Sequence, residues 1–179
     1  MLAVDGSLTV GGRTRAALDA VAAAIVEAGA TVQTIALGGD GAGVGPALDA
    51  LSWADAVVLA SPVYRASFAA PVKQLLDAVP REPGASPASP LTAKAVAVVY
   101  AGASLHHFLA LDSLRSVLAG FFAAHVVPPG LYVPREAFAD DLALREPYAG
   151  HARLQGAGLV ALAHALAQSP VLRSLRPQA

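Results

Sequence analysis

The sequence contains no cysteine. That absence removes disulfide frameworks, thiol redox chemistry, iron–sulfur ligation and thiolate zinc sites together. Charge is scarce as well. Asp, Glu, Lys and Arg make up 14% of the chain, where roughly 25% is usual. Lys and Arg number 12 against 13 Asp and Glu. No basic excess is present to neutralise phosphates, so a nucleic-acid partner is not expected. Hydrophobic residues reach 55%, with alanine alone about a quarter of the chain. This excludes intrinsic disorder, which needs few apolar residues and much charge. The 179 residues suit one domain with a sizeable core.

The apolar excess raises the question of a membrane. The charge-free stretch from Ser116 to Pro134 is long enough to span one, but it contains His125, Pro128, Pro129 and Gly130. Consecutive prolines and a glycine break the backbone bonding that lipid requires. The stretch reads instead as the end of a helix followed by a buried strand. The N-terminus shows no basic region before an apolar run, and Asp5 interrupts it at once. No signal peptide, no membrane partner and a cytoplasmic location are therefore expected.

Strands and helices alternate along the chain. Met1–Asp5 reads as a strand and Thr14–Ala28 as a helix, with Leu18, Val21, Ile25 and Ala28 on one face. Thr31–Ala36 is a second strand. The glycine run Gly38–Gly45 is a loop, and Pro46–Trp53 is a short helix begun by its proline. Ala56–Ala60 is an unbroken apolar strand, and Ala69–Val79 a helix. Pro80–Pro90 is a proline-, alanine- and serine-rich surface loop. Ala93–Ala101 is a buried strand, Ser104–Phe122 a helix, and His125–Val133 an extended segment interrupted by two prolines. Arg153–Gln168 is the final helix. A single domain over residues 1–168 and a loose tail over 169–179 follow. No repeat is evident.

The strands carry no polar face, which predicts a parallel sheet covered by helices on both sides. Five such strands suit the doubly wound α/β order 2-1-3-4-5. That order makes strands one, three and four neighbours. Their C-terminal loops, Gly6–Arg13, Ser61–Phe68 and Ala101–His107, then line one crevice, where ligands bind in open α/β sheets.

The first loop holds Ser7, Thr9 and Thr14, three glycines and Arg13, and it runs into a helix N-terminus. Glycines let backbone N–H groups approach an anion, a helix end adds positive potential, and Arg13 can chelate phosphate oxygens. A phosphate site and a plain turn with a Thr helix cap both satisfy these residues. In the second loop, Pro62 stiffens the backbone and Tyr64 offers a flat ring; as bare composition this also describes a Tyr packed on a neighbour. The third loop, Ala101-Gly102-Ala103-Ser104, permits close backbone approach at Gly102.

Ser61-Pro62-Val63-Tyr64-Arg65, followed by Lys73 and Leu76-Asp77, resembles the NAD(P)H-dependent FMN reductases of the flavodoxin-like fold. The sequence is most similar to the small reductases that serve sulfonate monooxygenases. Gly6, Ser7, Arg13 and Thr14 match their first-loop pattern, and Gly102, Ser104 and His107 match their third. Leu111-Asp112, Leu114-Arg115, Gly130 and Phe138-Ala139-Asp140 match too. The resemblance implies hydride transfer from NADPH or NADH to FMN, with the cofactors carrying the chemistry and the protein positioning them. It assigns Ser7, Thr9, Arg13 and Thr14 to the FMN phosphate. Pro62, Val63, Tyr64 and Arg65 would hold the isoalloxazine edge, with Gly102, Ala103 and Ser104 on the ring's other side. It implies no catalytic acid–base residue and no metal. A flavin-dependent monooxygenase partner and a homodimer or homotetramer also follow; the low charge agrees with apolar helix faces covered by copies of the chain.

The sequence departs from that pattern in places. Leu8 and Thr9 stand where the relatives have Pro-Arg, Gly12 replaces a serine, Ala103 replaces a glycine, and Pro80–Pro90 is longer. One residue, Ser113, separates Asp112 from Leu114 where the sulfonate-type reductases have two. In those relatives the extra residue produces a π-bulge; its absence predicts a regular helix here and leaves open whether FMN is released or permanently bound.

Other signals are weaker. No window of Gly38–Gly45 satisfies Gly-x-Gly-x-x-Gly, and the run follows the second strand rather than the first. Gly102-Ala103-Ser104-Leu105-His106 faintly resembles a nucleophile elbow but ends in His instead of Gly. His106 and His107 are neighbours, and neighbours on a helix point apart. Two readings compete with the reductase: a bound-FMN NAD(P)H reductase of quinones or other acceptors, and a non-enzymatic flavodoxin-type electron carrier. Such carriers are usually strongly acidic, and a net charge of −1 argues against one.

Overall fold

The large and small residues of the apolar strands sort onto opposite faces, and this sorting builds the molecule. In the computed structural model, residues 1–80 and 89–177 are described. Strand β1 is Leu2–Asp5, β2 Gln33–Ala36, β3 Ala56–Tyr64, β4 Ser67–Phe68, β5 Ala95–Gly102, β6 His125–Val126 and β7 Leu131–Pro134. Helix α1 is Arg13–Glu27, α2 Val44–Trp53, α3 Ala70–Ala78, α4 Leu111–Ser116, α5 Tyr148–Gln168 and α6 Pro170–Ser174. Leu2, Val4, Val57, Leu59, Val96, Val98 and Tyr100 face α2, α3 and α4. Ala3, Ala56, Val58, Ala60, Ala95, Ala97 and Val99 face α1 and α5. Successive side chains on a strand point to opposite faces, so one period-two pattern makes both cores.

The alanine-rich face explains part of the alanine excess. Helices pack close where side chains are small, and α1 and α5 also meet each other closely. A Cβ built at Gly156 of α5 would lie 2.6 Å from Ala24 Cβ and 2.7 Å from the Val21 carbonyl oxygen of α1. Only glycine fits that crossing.

The parallel sheet runs β2-β1-β3-β5-β6, with β7 also pairing with β5. Strands β6 and β7 are one fifth strand broken at Val127–Gly130, so the order is the expected 2-1-3-4-5. The fold is the expected doubly wound α/β sheet of the flavodoxin-like kind. The break holds Pro128 and Pro129, which have no N–H to give to β5. Gln155 of α5, itself buried, donates to the Pro128 carbonyl at 3.3 Å.

Several elements differ from expectation. Strand β3 does not stop at Ala60; it continues to Tyr64 and turns back as a hairpin with β4, pairing Val63 with Phe68 and Tyr64 with Ser67. Helix α2 begins at Val44, two residues before Pro46, and α5 begins at Tyr148 rather than Arg153. The segment after Ser169, expected to be loose, opens with a short helix. Ser169 caps α6 by accepting from the Leu172 N–H, and the Leu172 carbonyl lies 3.0 Å from His125 Nε2. The expected loop Pro80–Pro90 falls for the most part, at residues 81–88, outside the described residues.

The segment Ser104–Phe122 is not a regular helix. Leu105–Ala110 is a 3₁₀ segment, α4 follows, and Val117–Phe121 is a π-turn. The Phe122 N–H reaches back to the Val117 carbonyl at 3.3 Å, and the Ala124 N–H to the Leu118 carbonyl at 2.9 Å. The widening occurs where the chain leaves the helix: Phe122 is buried, and Ala123 sits at φ 54°. The Asp112–Leu114 spacing compared in the sequence lies earlier and did not report on it.

Candidate functional site

Strand register brings the three loops together. Asp5 pairs with Ala60 across β1 and β3, and Pro62 pairs with Ala101 across β3 and β5. The segments after Asp5, Pro62 and Gly102 therefore stand side by side at the C-terminal edge of the sheet. Gly6 is locked into this edge. Its N–H donates to the Ala60 carbonyl at 2.8 Å, and a Cβ there would lie 2.3 Å from Val72 Cγ2 of α3.

The first loop ends at an open helix N-terminus. Gly12 is the N-cap of α1 and offers no side chain to bond the first amides, so the Thr cap that the sequence left open as an alternative is absent. Thr14 is buried within the first turn instead. Thr9 lies exposed beside this end: a Cβ at Gly12 would be 3.8 Å from Thr9 Oγ1. Arg13 is exposed and forms no ion pair among the described residues, whereas Arg15 is committed to Asp19 at 2.7 Å. Ser7 is buried, and both its donors are in use. Its N–H donates to Asp5 Oδ1 at 3.0 Å, and its hydroxyl donates to the same oxygen. Asp5 itself is 3% exposed. The sequence reading passed over it as the end of a strand. An Asp two residues before a Ser, on an apolar strand entering a glycine turn, is the pattern that would have signalled this contact.

The second segment is a hairpin tip rather than a loop. Arg65 and Ala66 form its two-residue turn at φ 52° and 59°, the left-handed values that a twisted hairpin needs and that glycine or asparagine usually supplies. Its base is tied by Ser61, fully buried, which accepts from the Ala69 N–H at 2.8 Å and donates to the Pro62 carbonyl at 2.9 Å. Pro62 and Val63 are half-buried, while Tyr64 is 50% exposed at the sheet edge.

In the third segment, the room above Gly102 is already taken. A Cβ there would lie 1.8 Å from the Tyr132 hydroxyl oxygen. Tyr132, on β7, donates across this backbone to the Ser104 carbonyl at 2.6 Å. Burial raises its pKa above the usual tyrosine value, with Glu136 adding to the effect. Ala103 is exposed, and Ser104 Oγ lies 3.2 Å from His106 Nδ1. No group of three or more His, Asp or Glu among the described residues is arranged to hold a metal. No described helix is long and apolar enough to cross a membrane.

The sequence model of the NADPH-dependent FMN reductase family matches residues 1–138, a span that includes all three segments. The chain belongs to the NADPH-dependent FMN reductase family. Among curated proteins, the chain is 39% identical over 102 residues to NADH-dependent FMN reductase SfnF of Pseudomonas putida, covering 56% of this chain and 50% of that one. It is 31% identical over 107 residues to an FMN reductase (NADPH) of Pseudomonas aeruginosa, covering 60% and 54%. The matched region thus spans about half the length of these relatives. Among solved structures, an NADH:FMN oxidoreductase called EMOB in its apo form superposes with a TM-score of 0.72 at 23% identity, covering 97% of this chain and 93% of that one. An oxidoreductase from Corynebacterium diphtheriae superposes at 0.67 and 21% identity, covering 94% and 96%. At these identities the superpositions speak for the fold.

Proposed function

We propose that this chain is an NAD(P)H-dependent FMN reductase, moving hydride from a reduced nicotinamide to flavin. The observation that carries the reading is the open N-terminus of α1, with Arg13, which pairs with no carboxylate among the described residues, beside it, and two further segments at the same edge of the sheet. The donor set fits FMN. Uncapped helix amides, the Thr9 hydroxyl and the Arg13 guanidinium are what a phosphate requires, with Ser7 and Thr14 shaping the loop beneath. Backbone along Pro62, Val63, Tyr64 and Arg65 would meet the polar edge of the isoalloxazine. Gly102, Ala103 and Ser104 would border the ring on its other side. When bound, the flavin supplies the hydride-accepting chemistry; the chain's residues hold and orient it and are not asked for a proton.

We further propose that reduced FMN passes to a flavin-dependent monooxygenase and that the protein works in the cytoplasm as a homodimer or homotetramer. Exposed Leu105, Phe108 and Leu109, next to α4, support a surface covered by another copy.

The test is to purify the protein, add FMN with NADPH or NADH, and follow absorbance at 340 nm. Turnover with either nicotinamide supports the reading. No turnover with either, with FMN and quinone acceptors both present, rejects it. A yellow protein after gel filtration would favour bound FMN and the acceptor-reductase alternative; a colourless one favours a reductase that releases its flavin. Bound FMN that exchanges electrons with a protein partner but not with nicotinamide would mark a flavodoxin-type carrier.

A further inference from the structure

The first loop differs from a simple anion cradle in one respect: it already contains an anion. The Asp5 carboxylate sits at the end of β1, 3% exposed, directly beneath the loop that leads to α1. It takes both donors of Ser7, the N–H at 3.0 Å and the hydroxyl. Amide and hydroxyl are the groups a flavin phosphate would otherwise use there. No basic side chain among the described residues pairs with Asp5. Arg15 turns to Asp19, and Arg13 extends into solvent. Its hydrogen bonds come from loop donors, and Arg15, though paired with Asp19, lies near enough to feel its charge.

We propose that Asp5 is a specificity-determining residue that offsets the pull of Arg13 and the α1 N-terminus on a phosphate. The site then takes riboflavin and FMN with similar affinity. The inference rests on the flavin-reductase reading and deepens it. Like charges held close disfavour each other's ionised state, and a built-in repulsion is a recognised route to selectivity. The flavin ring, gripped by the second and third segments, provides most of the binding, and the phosphate adds little. A reductase that hands its flavin on gains from such a weak phosphate grip.

The experiment is titration of riboflavin and of FMN, read by flavin fluorescence quenching, with the full chain and its Asp5→Asn and Asp5→Ser variants. Asp5→Asn keeps the shape and one acceptor oxygen while removing the charge; Asp5→Ser removes both and frees the Ser7 donors. The wild type is expected to bind the two flavins within about threefold of each other. Both variants should tighten FMN by about tenfold or more, with riboflavin moving less than about twofold. Unchanged riboflavin binding shows that a variant is folded. A wild type that prefers FMN by about a hundredfold overturns the proposal, as do variants with unchanged FMN affinity; in those cases the flavin-reductase reading stands. If no form binds either flavin, that reading falls and this one with it.

Discussion

Tyr132 donates to the Ser104 carbonyl at 2.6 Å by passing over Gly102, so the last strand clamps the third segment of the site. The clamp needs a residue without Cβ at position 102. Gly102→Ala would place a Cβ 1.8 Å from the Tyr132 oxygen and 2.6 Å from its Cζ. It should lower stability by about 1–3 kcal/mol, through loss of the hydrogen bond and overpacking. Tyr132→Phe removes the oxygen but not the ring. The double variant should therefore lose less than the sum of the two single losses, in urea denaturation. Strict additivity would show that the two groups do not compete for one space.

Arg13 is an exposed cation next to the open end of α1, and no carboxylate among the described residues pairs with it. Arg13→Ala should weaken FMN binding by about three- to tenfold and leave riboflavin binding unchanged. The loss should shrink in high salt, because the contact is screened. Equal weakening of both flavins would move Arg13 away from the phosphate.

The hairpin turn is strained. Ala66 at φ 59° sits in a region that costs a residue with Cβ roughly 1–2 kcal/mol. Ala66→Gly relieves that cost but adds roughly 0.5–1 kcal/mol of backbone entropy to the unfolded chain. A net gain of up to about 1 kcal/mol is expected in thermal or chemical denaturation. A destabilised variant would mean the turn has another conformation.

A half-buried lysine and a buried tyrosine shape the alkaline stability profile with opposite signs. Lys94 donates to the Ala54 carbonyl at 2.6 Å and to that of Leu51, closing the end of α2. Burial pushes its pKa down from 10.5 to about 8, against the pull of Asp55. Between those values the unfolded chain holds more protons than the folded one, so stability should rise with pH from about 8. Tyr100 has the opposite shift: burial pushes its pKa well above the usual 10.0, with Ser113 beside it opposing. Above 10.0 the folded chain holds the extra proton, and stability should fall. Melting temperatures between pH 7 and 11 should show the rise and then the fall. Lys94→Met should flatten the rise, and Tyr100→Phe should soften the fall.

The sheet order was legible because Val57–Leu59 and Val96–Val98 carry no polar face, which only a doubly covered parallel strand explains. What was not legible depended on contacts between distant residues. Ser61-Pro62-Val63-Tyr64 reads as a loop because a proline interrupts it, yet Ser61 binding the Ala69 N–H holds it as a hairpin. The π-turn depends on Phe122 being drawn into the core, not on local spacing. For the candidate site, the three segments could be named from sheet order alone. The Asp5–Ser7 contact is local and carries a sequence signal, an Asp two residues before a Ser at a strand end, but Asp5 also looks like any polar residue ending a strand. Gly102 was read as room for a ligand, whereas the room belongs to Tyr132, thirty residues on.

The broken fifth strand has a consequence for how copies of this protein meet in solution. A sheet margin with a continuous row of free N–H and C=O groups invites a stranger's strand. Here one margin is β6 and β7, interrupted by two prolines that have no N–H to offer. The other is β2, only four residues long. Short and interrupted margins disfavour an intermolecular ladder, so contacts between copies of this alanine-rich chain fall more to side chains than to paired strands.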